Sequence, residues 1–185
     1  MKNLPNCLTF LRILIVPILI SSFFLEGVLS NWIAASLFVI ASATDFFDGY
    51  LARTLGLESN LGKVLDPIAD KLLVATAIVM LAHSRADIII TISGIVILFR
   101  EIFVSGWREY LAGINVSLPV SNLAKWKTAI QMTALTVLIL GNKGAGFEYT
   151  DSIGKILLVL AAILTIITGY SYLKSTAKHL GDSSK

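Results

Sequence analysis

Two stretches, Asp45-Phe-Phe-Asp48-Gly49-Tyr-Leu-Ala52-Arg53 and Gly62-Lys-Val-Leu-Asp66-Pro-Ile-Ala-Asp70, set four carboxylates beside long apolar runs. Isolated charge is costly to bury in such surroundings, so these carboxylates demand a partner. Asp45 and Asp48 stand at i and i+3, and Asp66 and Asp70 at i and i+4, which puts each pair on one face of its own helix. Residues 54–60, with Gly56 and Asn60, hold the only turn signal between them. In an antiparallel hairpin centred on residue 57, Asp48 lies opposite Asp66 and Asp45 opposite Asp70, so the spacing predicts convergence of all four. Gly49 and Ala52 keep the first helix slim there, and Gly62, level with Arg53, lets a backbone or a ligand approach closely. Taken singly, either acidic pair reads as a helix cap or a solvated charge. Taken together, in register with small residues and an Arg, they read as a site for a divalent ion. Hard oxygen ligands of this kind suit Mg²⁺, Mn²⁺ or Ca²⁺ rather than Zn²⁺.

The apolar runs decide the fold class. The chain has 185 residues, 56% hydrophobic and 15% charged, with a mean hydropathy of +0.81, too apolar for a soluble domain of this length. Segments long enough to span about 30 Å of hydrocarbon cover residues 8–25, 32–51, 64–82, 88–111, 120–140 and 153–172. The expectation is an all-α polytopic membrane protein, with six transmembrane helices in one bundle and one domain over residues 1–185. An even number of spans puts both termini on one side. That side carries Lys2, Arg12, Arg53, Lys63, Lys71, Arg108, Lys125, Lys127, Lys174, Lys178 and Lys185, against Arg85, Lys143 and Lys155 opposite. Eleven cations against three place the termini and the carboxylate hairpin in the cytoplasm.

The first span does not read as a cleavable signal, because Arg12 interrupts it and no small-x-small pattern follows. Cys7 is the single cysteine, which excludes an internal disulfide. The net charge of +3 follows from the inside-positive loops; it adds attraction to anionic headgroups and requires no nucleic acid. No repeat, low-complexity stretch or soluble linker stands out.

Other polar residues gather toward the same face. Asn3-Leu-Pro5-Asn6-Cys-Leu-Thr9-Phe-Leu-Arg12 opens the chain as a helix start, with Pro5 near the first turn and Asn3 or Asn6 as cap. Arg12, one turn into the apolar run, either snorkels to the interface or reaches a phosphate held at the metal site. Arg100-Glu101 and Arg108-Glu109 lie eight residues apart on the fourth span, near one face. Arg100 is either half of an internal Arg–Glu pair or part of a site. Arg108 with Lys125 and Lys127, at the start of the fifth span, forms a set of three cations around one opening, which suggests an anionic substrate as readily as inside-positive anchoring. His83, at the far end of the third span, reads as interfacial.

Asp45, Asp48, Gly49, Ala52, Arg53, Gly62, Asp66 and Asp70 reproduce the pattern D-x2-D-G-x2-A-R-x8-G-x3-D-x3-D without departure. In this the chain resembles the CDP-alcohol phosphotransferases. The segment 3–12, the Arg100-Glu101 and Arg108-Glu109 pairs and Lys125-Trp-Lys-Thr128 look like the branch whose acceptor is glycerol 3-phosphate; Ala124 stands where that branch commonly has Gly, and nothing after Gly141 carries a motif. The resemblance implies a membrane enzyme of the bacterial inner membrane, a homodimer, transferring the phosphatidyl group of CDP-diacylglycerol to glycerol 3-phosphate with release of CMP. It further implies two divalent ions, Mg²⁺ or Mn²⁺, on Asp45, Asp48, Asp66 and Asp70, with Asp66 shared between them and Asp70 as general base. Gly49, Ala52, Arg53 and Gly62 would then line the CDP-diacylglycerol site, supported by Thr9 and Arg12, and Arg108, Lys125, Lys127 and Arg100 would hold the acceptor phosphate. The rival acceptors within the family are inositol phosphate, serine and phosphatidylglycerol. From other classes, a small cation-coupled transporter predicts acids near the midplane and repeated halves, and a structural scaffold leaves the eight-position pattern unexplained.

Overall fold

The computed structural model describes residues 4–55, 60–114 and 122–182, and of these only the backbone for residues 4–8, 45–55, 60–61, 63–64, 175 and 177–182. The described residues form six helices and no strand: α1 Leu4–Ser22, α2 Val28–Leu55, α3 Asn60–Arg85, α4 Ile88–Gly113, α5 Asn122–Ala145 and α6 Thr150–Asp182. Each overlaps one of the apolar segments, and α2, α3, α4 and α6 contain theirs whole, whereas α1 ends at Ser22, three residues before the first segment does. Where the helices outrun the segments, a helix continues through polar residues that hydropathy excludes. α1 therefore starts at Leu4 rather than at residue 8, which puts Asn6 inside the helix and not at its cap. Thr54, Leu55 and Asn60 are likewise helical, so the α2–α3 connection is shorter than expected from sequence and its residues 56–59 lie outside the described part.

The connections at the opposite end are tightly specified. Gly27 (φ +99°) ends the α1–α2 turn, and the Ser30 hydroxyl donates to its carbonyl at 2.8 Å. Only Ala86 and Asp87 separate α3 from α4. The Asp87 carboxylate caps α4 by accepting from the N–H groups of Ile89 at 2.8 Å and Ile90 at 3.2 Å, and it pairs with Lys155 of α6 at 2.7 Å. The Lys155 hydrogen bond, more than the two backbone N–H groups, holds this carboxyl below the usual carboxylate range.

α5 breaks at Gly141 (φ +62°, ψ 178°), where residue 140 closes the fifth apolar segment. The left-handed backbone there favours glycine, and a Cβ on Gly141, 2.0 Å from Arg85 Nη2, would also displace the Arg85 guanidinium. Carbonyls around the break find donors on other helices: Leu138 accepts from Arg85 Nη2 at 2.9 Å, Leu140 from Asn31 Nδ2 at 2.7 Å and Gly144 from Trp32 Nε1 at 3.0 Å. Arg85 also pairs with Asp151 of α6 at 3.2 Å. This end thus ties α2, α3, α5 and α6 together.

One core runs through the bundle, with Leu19, Phe38, Leu73, Ile97, Leu135 and Leu158 contributing from all six helices. α5 and α6 make the most extensive contact. Gly154 permits it, since a Cβ there would meet Leu138 Cδ2 at 2.7 Å. The outward faces are apolar as well: Ile88, Ile92, Ile95, Phe99 and Ile102 of α4 are exposed, a pattern that suits lipid rather than water. Ile88–Gly113 and Thr150–Lys174 are long and apolar enough to cross a membrane, and Thr9–Ser22 and Val28–Thr44 are shorter apolar helices. The molecule is a membrane-associated helical protein.

Candidate active site

The acidic pair on α3 is placed by helix geometry. Asp66 and Asp70 are one turn apart, both partly buried, and Lys71 Nζ donates to the carbonyl of Pro67 between them at 3.0 Å. Thr9 of α1, 1% exposed, donates its hydroxyl to Asp66 Oδ1. The expectation set Thr9 beside the donor; its partner among the described residues is an expected metal ligand. Arg12 is 1% exposed, which removes the snorkelling reading. Gly62 is buried. Asp45, Asp48, Gly49, Ala52 and Arg53 occupy the last turns of α2, but their side chains lie outside the described residues, as does the convergence expected across the hairpin. The donor set that is described, two carboxylates on one helical face with one oxygen already oriented by a hydroxyl, fits a hard divalent ion.

Beside Asp70 opens a cavity of about 860 Å³ between α2, α4 and α5. Asp70, Arg100, Glu101, Arg108, Lys125 and Lys127 supply its charged lining, and Ala124, Thr128 and Thr133 part of the remainder. All four cations expected at an acceptor site therefore share one space with the expected base. Among the described residues, four cations against two carboxylates leave that lining at a net +2.

The cations are not equivalent. Lys127 is 2% exposed and donates to Glu101 Oε1, so an ammonium that could not be buried alone is held by a carboxylate from α4. Arg100 Nη1 lies 3.7 Å from the same Glu101 oxygen, and its Nη2 donates to Thr168 Oγ1 at 3.2 Å. Arg100 is thus both half of an internal Arg–Glu pair and part of the cavity wall. Arg108 and Lys125 are exposed at its rim. Glu101 links two cations and had no role in the expected site; nor did Thr168, since a contact between α4 and α6 leaves no trace in local spacing. A smaller cavity of about 290 Å³, lined largely by apolar residues of α3, α4 and α5 such as Leu72, Leu98 and Ile102, shares Asp70, Glu101, Thr128 and Met132 with the first. His83 is exposed at the end of α3 and does not reach the site.

The chain is similar to known proteins along nearly its whole length. The chain is 53% identical over 178 residues to a CDP-diacylglycerol--glycerol-3-phosphate 3-phosphatidyltransferase of Rickettsia felis, covering 96% of this chain and 97% of that protein. It is 41% identical over 181 residues to the protein of the same name from Pseudomonas fluorescens, covering 96% and 92%. It is 42% identical over 149 residues to a cardiolipin synthase (CMP-forming) of Oryza sativa subsp. japonica, there covering 74% of this chain and 45% of that protein. The profile of the CDP-alcohol phosphatidyltransferase family matches residues 2–167, a stretch that takes in the whole acidic hairpin and the cationic cavity, and the chain belongs to that family.

Proposed function

We propose that the protein transfers the phosphatidyl group of CDP-diacylglycerol to glycerol 3-phosphate, giving phosphatidylglycerol phosphate and CMP. The observation that carries this reading is the cavity that joins Asp70 to Arg100, Arg108, Lys125 and Lys127, whose described charged residues sum to +2. A phosphate monoester is a dianion near neutral pH and matches that charge. The phosphodiester of phosphatidylglycerol is a monoanion and serine carries no phosphate, so the cavity favours glycerol 3-phosphate over both. The names of the relatives from Rickettsia and Pseudomonas support the same acceptor.

In the proposed mechanism the cations hold the acceptor phosphate and aim its glycerol at α3, and Asp70 takes the proton from the C1 hydroxyl as that oxygen attacks the phosphorus bearing diacylglycerol. Glu101 holds Lys127 in place. Gly49, Ala52, Arg53, Gly62 and Arg12 serve the CDP-diacylglycerol side, and the Thr9 hydroxyl orients Asp66. Asp45, Asp48, Asp66 and Asp70 would hold two divalent ions, whose chemistry is to neutralise the diphosphate and ease departure of CMP. The placement that goes with this function is a six-span homodimer in the cytoplasmic membrane, with both termini and the cavity facing the cytoplasm.

The test is CMP release by the purified protein from CDP-diacylglycerol with glycerol 3-phosphate, inositol phosphate, serine or phosphatidylglycerol as acceptor, with and without EDTA. Turnover with glycerol 3-phosphate alone, lost in EDTA and restored by Mg²⁺ or Mn²⁺, is expected. Turnover with phosphatidylglycerol instead would assign the chain to cardiolipin formation.

A further inference from the structure

Helix α6 has no part in the family's acidic motif, yet it grips both arginines of the cavity. Thr168, 5% exposed, has its hydroxyl fixed by donating to the Leu164 carbonyl at 2.8 Å, and it accepts from Arg100 Nη2 at 3.2 Å. The neighbouring Gly169 leaves room for the arginine stem, since a Cβ there would lie 3.2 Å from Arg100 Cγ. One turn on, the Tyr172 ring faces Arg108, with the guanidinium carbon 5.7 Å from the ring centroid, inside cation–π range. Thr168 and Tyr172 are spaced i, i+4 and so lie on one face of α6. Arg100 and Arg108, eight residues apart, lie close to one face of α4.

We infer that Thr168, Gly169 and Tyr172 are positioning residues that set the affinity for the acceptor phosphate, an inference that rests on the reading of the cavity given above. An arginine has many rotamers, and ordering it at the moment of binding weakens the complex; a side chain already held in place avoids that loss. α6 performs this ordering without touching the ligand. It anchors Arg100 by one hydrogen bond plus the space left by a glycine, and Arg108 by one ring face. The acceptor site therefore depends on packing between α4 and α6, and the last helix has a task that its lack of motif residues conceals.

The experiment measures KM for each substrate with the full-length protein in liposomes, comparing Thr168→Val, Thr168→Ser, Tyr172→Leu, Tyr172→Phe and Lys127→Met. Thr168→Val keeps the shape and deletes the acceptor of the Arg100 hydrogen bond; it should raise KM for glycerol 3-phosphate about tenfold, the order expected for one hydrogen bond to a charged group. Tyr172→Leu should raise it roughly threefold. Thr168→Ser and Tyr172→Phe restore the hydroxyl and the ring, and should return the value to within about twofold of the parent. KM for CDP-diacylglycerol should stay unchanged throughout, and the thermal midpoint should stay unchanged in the Thr168 and Tyr172 variants. If Lys127→Met raises the acceptor KM while Thr168→Val and Tyr172→Leu do not, the role of α6 is overturned and the cavity reading stands. If none of the three moves it, the cavity does not hold the acceptor. Equal rises for both substrates, or no rescue by Ser and Phe, would make the α6 contacts purely structural and also overturn the inference.

Discussion

Removing the Lys127 ammonium should weaken acceptor binding far more than donor binding. Lys127 is the most buried of the four cations at 2% exposure, and Glu101 already draws on its charge. Two unit charges about 4 Å apart at an effective dielectric near 20 attract by roughly 4 kcal/mol. Sharing with Glu101 reduces what a phosphate gains, and charge-assisted hydrogen bonds are worth about 1.5–3 kcal/mol in practice. At about 1.4 kcal/mol per factor of ten, Lys127→Met should therefore raise KM for glycerol 3-phosphate by roughly 10- to 100-fold. The substitution also leaves the Glu101 carboxylate, 24% exposed, with Arg100 at 3.7 Å as its remaining described ion-pair partner. Glu101 then turns from a support into a repulsive neighbour, so Lys127→Met with Glu101→Gln should recover part of the loss. The assay is steady-state CMP release with each substrate varied in turn. An unchanged acceptor KM with a raised KM for CDP-diacylglycerol would refute the reasoning and move these cations to the donor side.

Asp70→Asn should slow the chemical step by roughly 10²–10⁴-fold, as for a lost general base, while CDP-diacylglycerol still binds; single-turnover CMP formation beside a binding measurement separates the two. Asp66→Asn should abolish turnover and weaken Mn²⁺ binding by calorimetry, and near-normal activity would defeat the shared-metal role. Gly141→Ala forces a side chain into a left-handed backbone and against Arg85; it should destabilise the fold by about 1–3 kcal/mol and lower the thermal midpoint, with acceptor KM unmoved. Asp87 is held below its ordinary carboxylate range chiefly by Lys155. Its contribution to stability is therefore present above about pH 4, lost as pH falls through its folded value, and reduced in the acid limb of a Lys155→Met unfolding profile, where the Ile89 and Ile90 N–H groups remain.

Much of the architecture was legible because lipid-length apolar runs are a coarse signal, and the break at Gly141 fell where the fifth run stopped. Helix ends were less so. α1 and α6 extend beyond the apolar segments, and fewer residues separate α2 from α3 than Gly56 and Asn60 suggested. Of the site, Asp66 and Asp70 could be paired from spacing alone, and Arg108, Lys125 and Lys127 from their place at neighbouring span ends. The Lys127–Glu101 pair bridges 26 residues and Arg100–Thr168 bridges 68. Such partners are chosen by how α4 packs on α5 and α6, information that no local pattern holds.

The positive lining of the large cavity has a consequence for turnover. Under the proposed reaction the acceptor's phosphate monoester passes unchanged into the product, so Arg100, Arg108, Lys125 and Lys127 meet the same dianion before and after transfer. Binding that is uniform along the reaction path does not lower the chemical barrier, and here it also retains the product. Escape then depends on the two acyl chains drawing phosphatidylglycerol phosphate sideways into the bilayer, against the grip on its headgroup. A phosphomonoesterase acting on the released lipid would erase the one feature the cavity recognises. Under that proposal, flux through this protein would be coupled to the rate of that dephosphorylation, and accumulated product would compete directly with glycerol 3-phosphate.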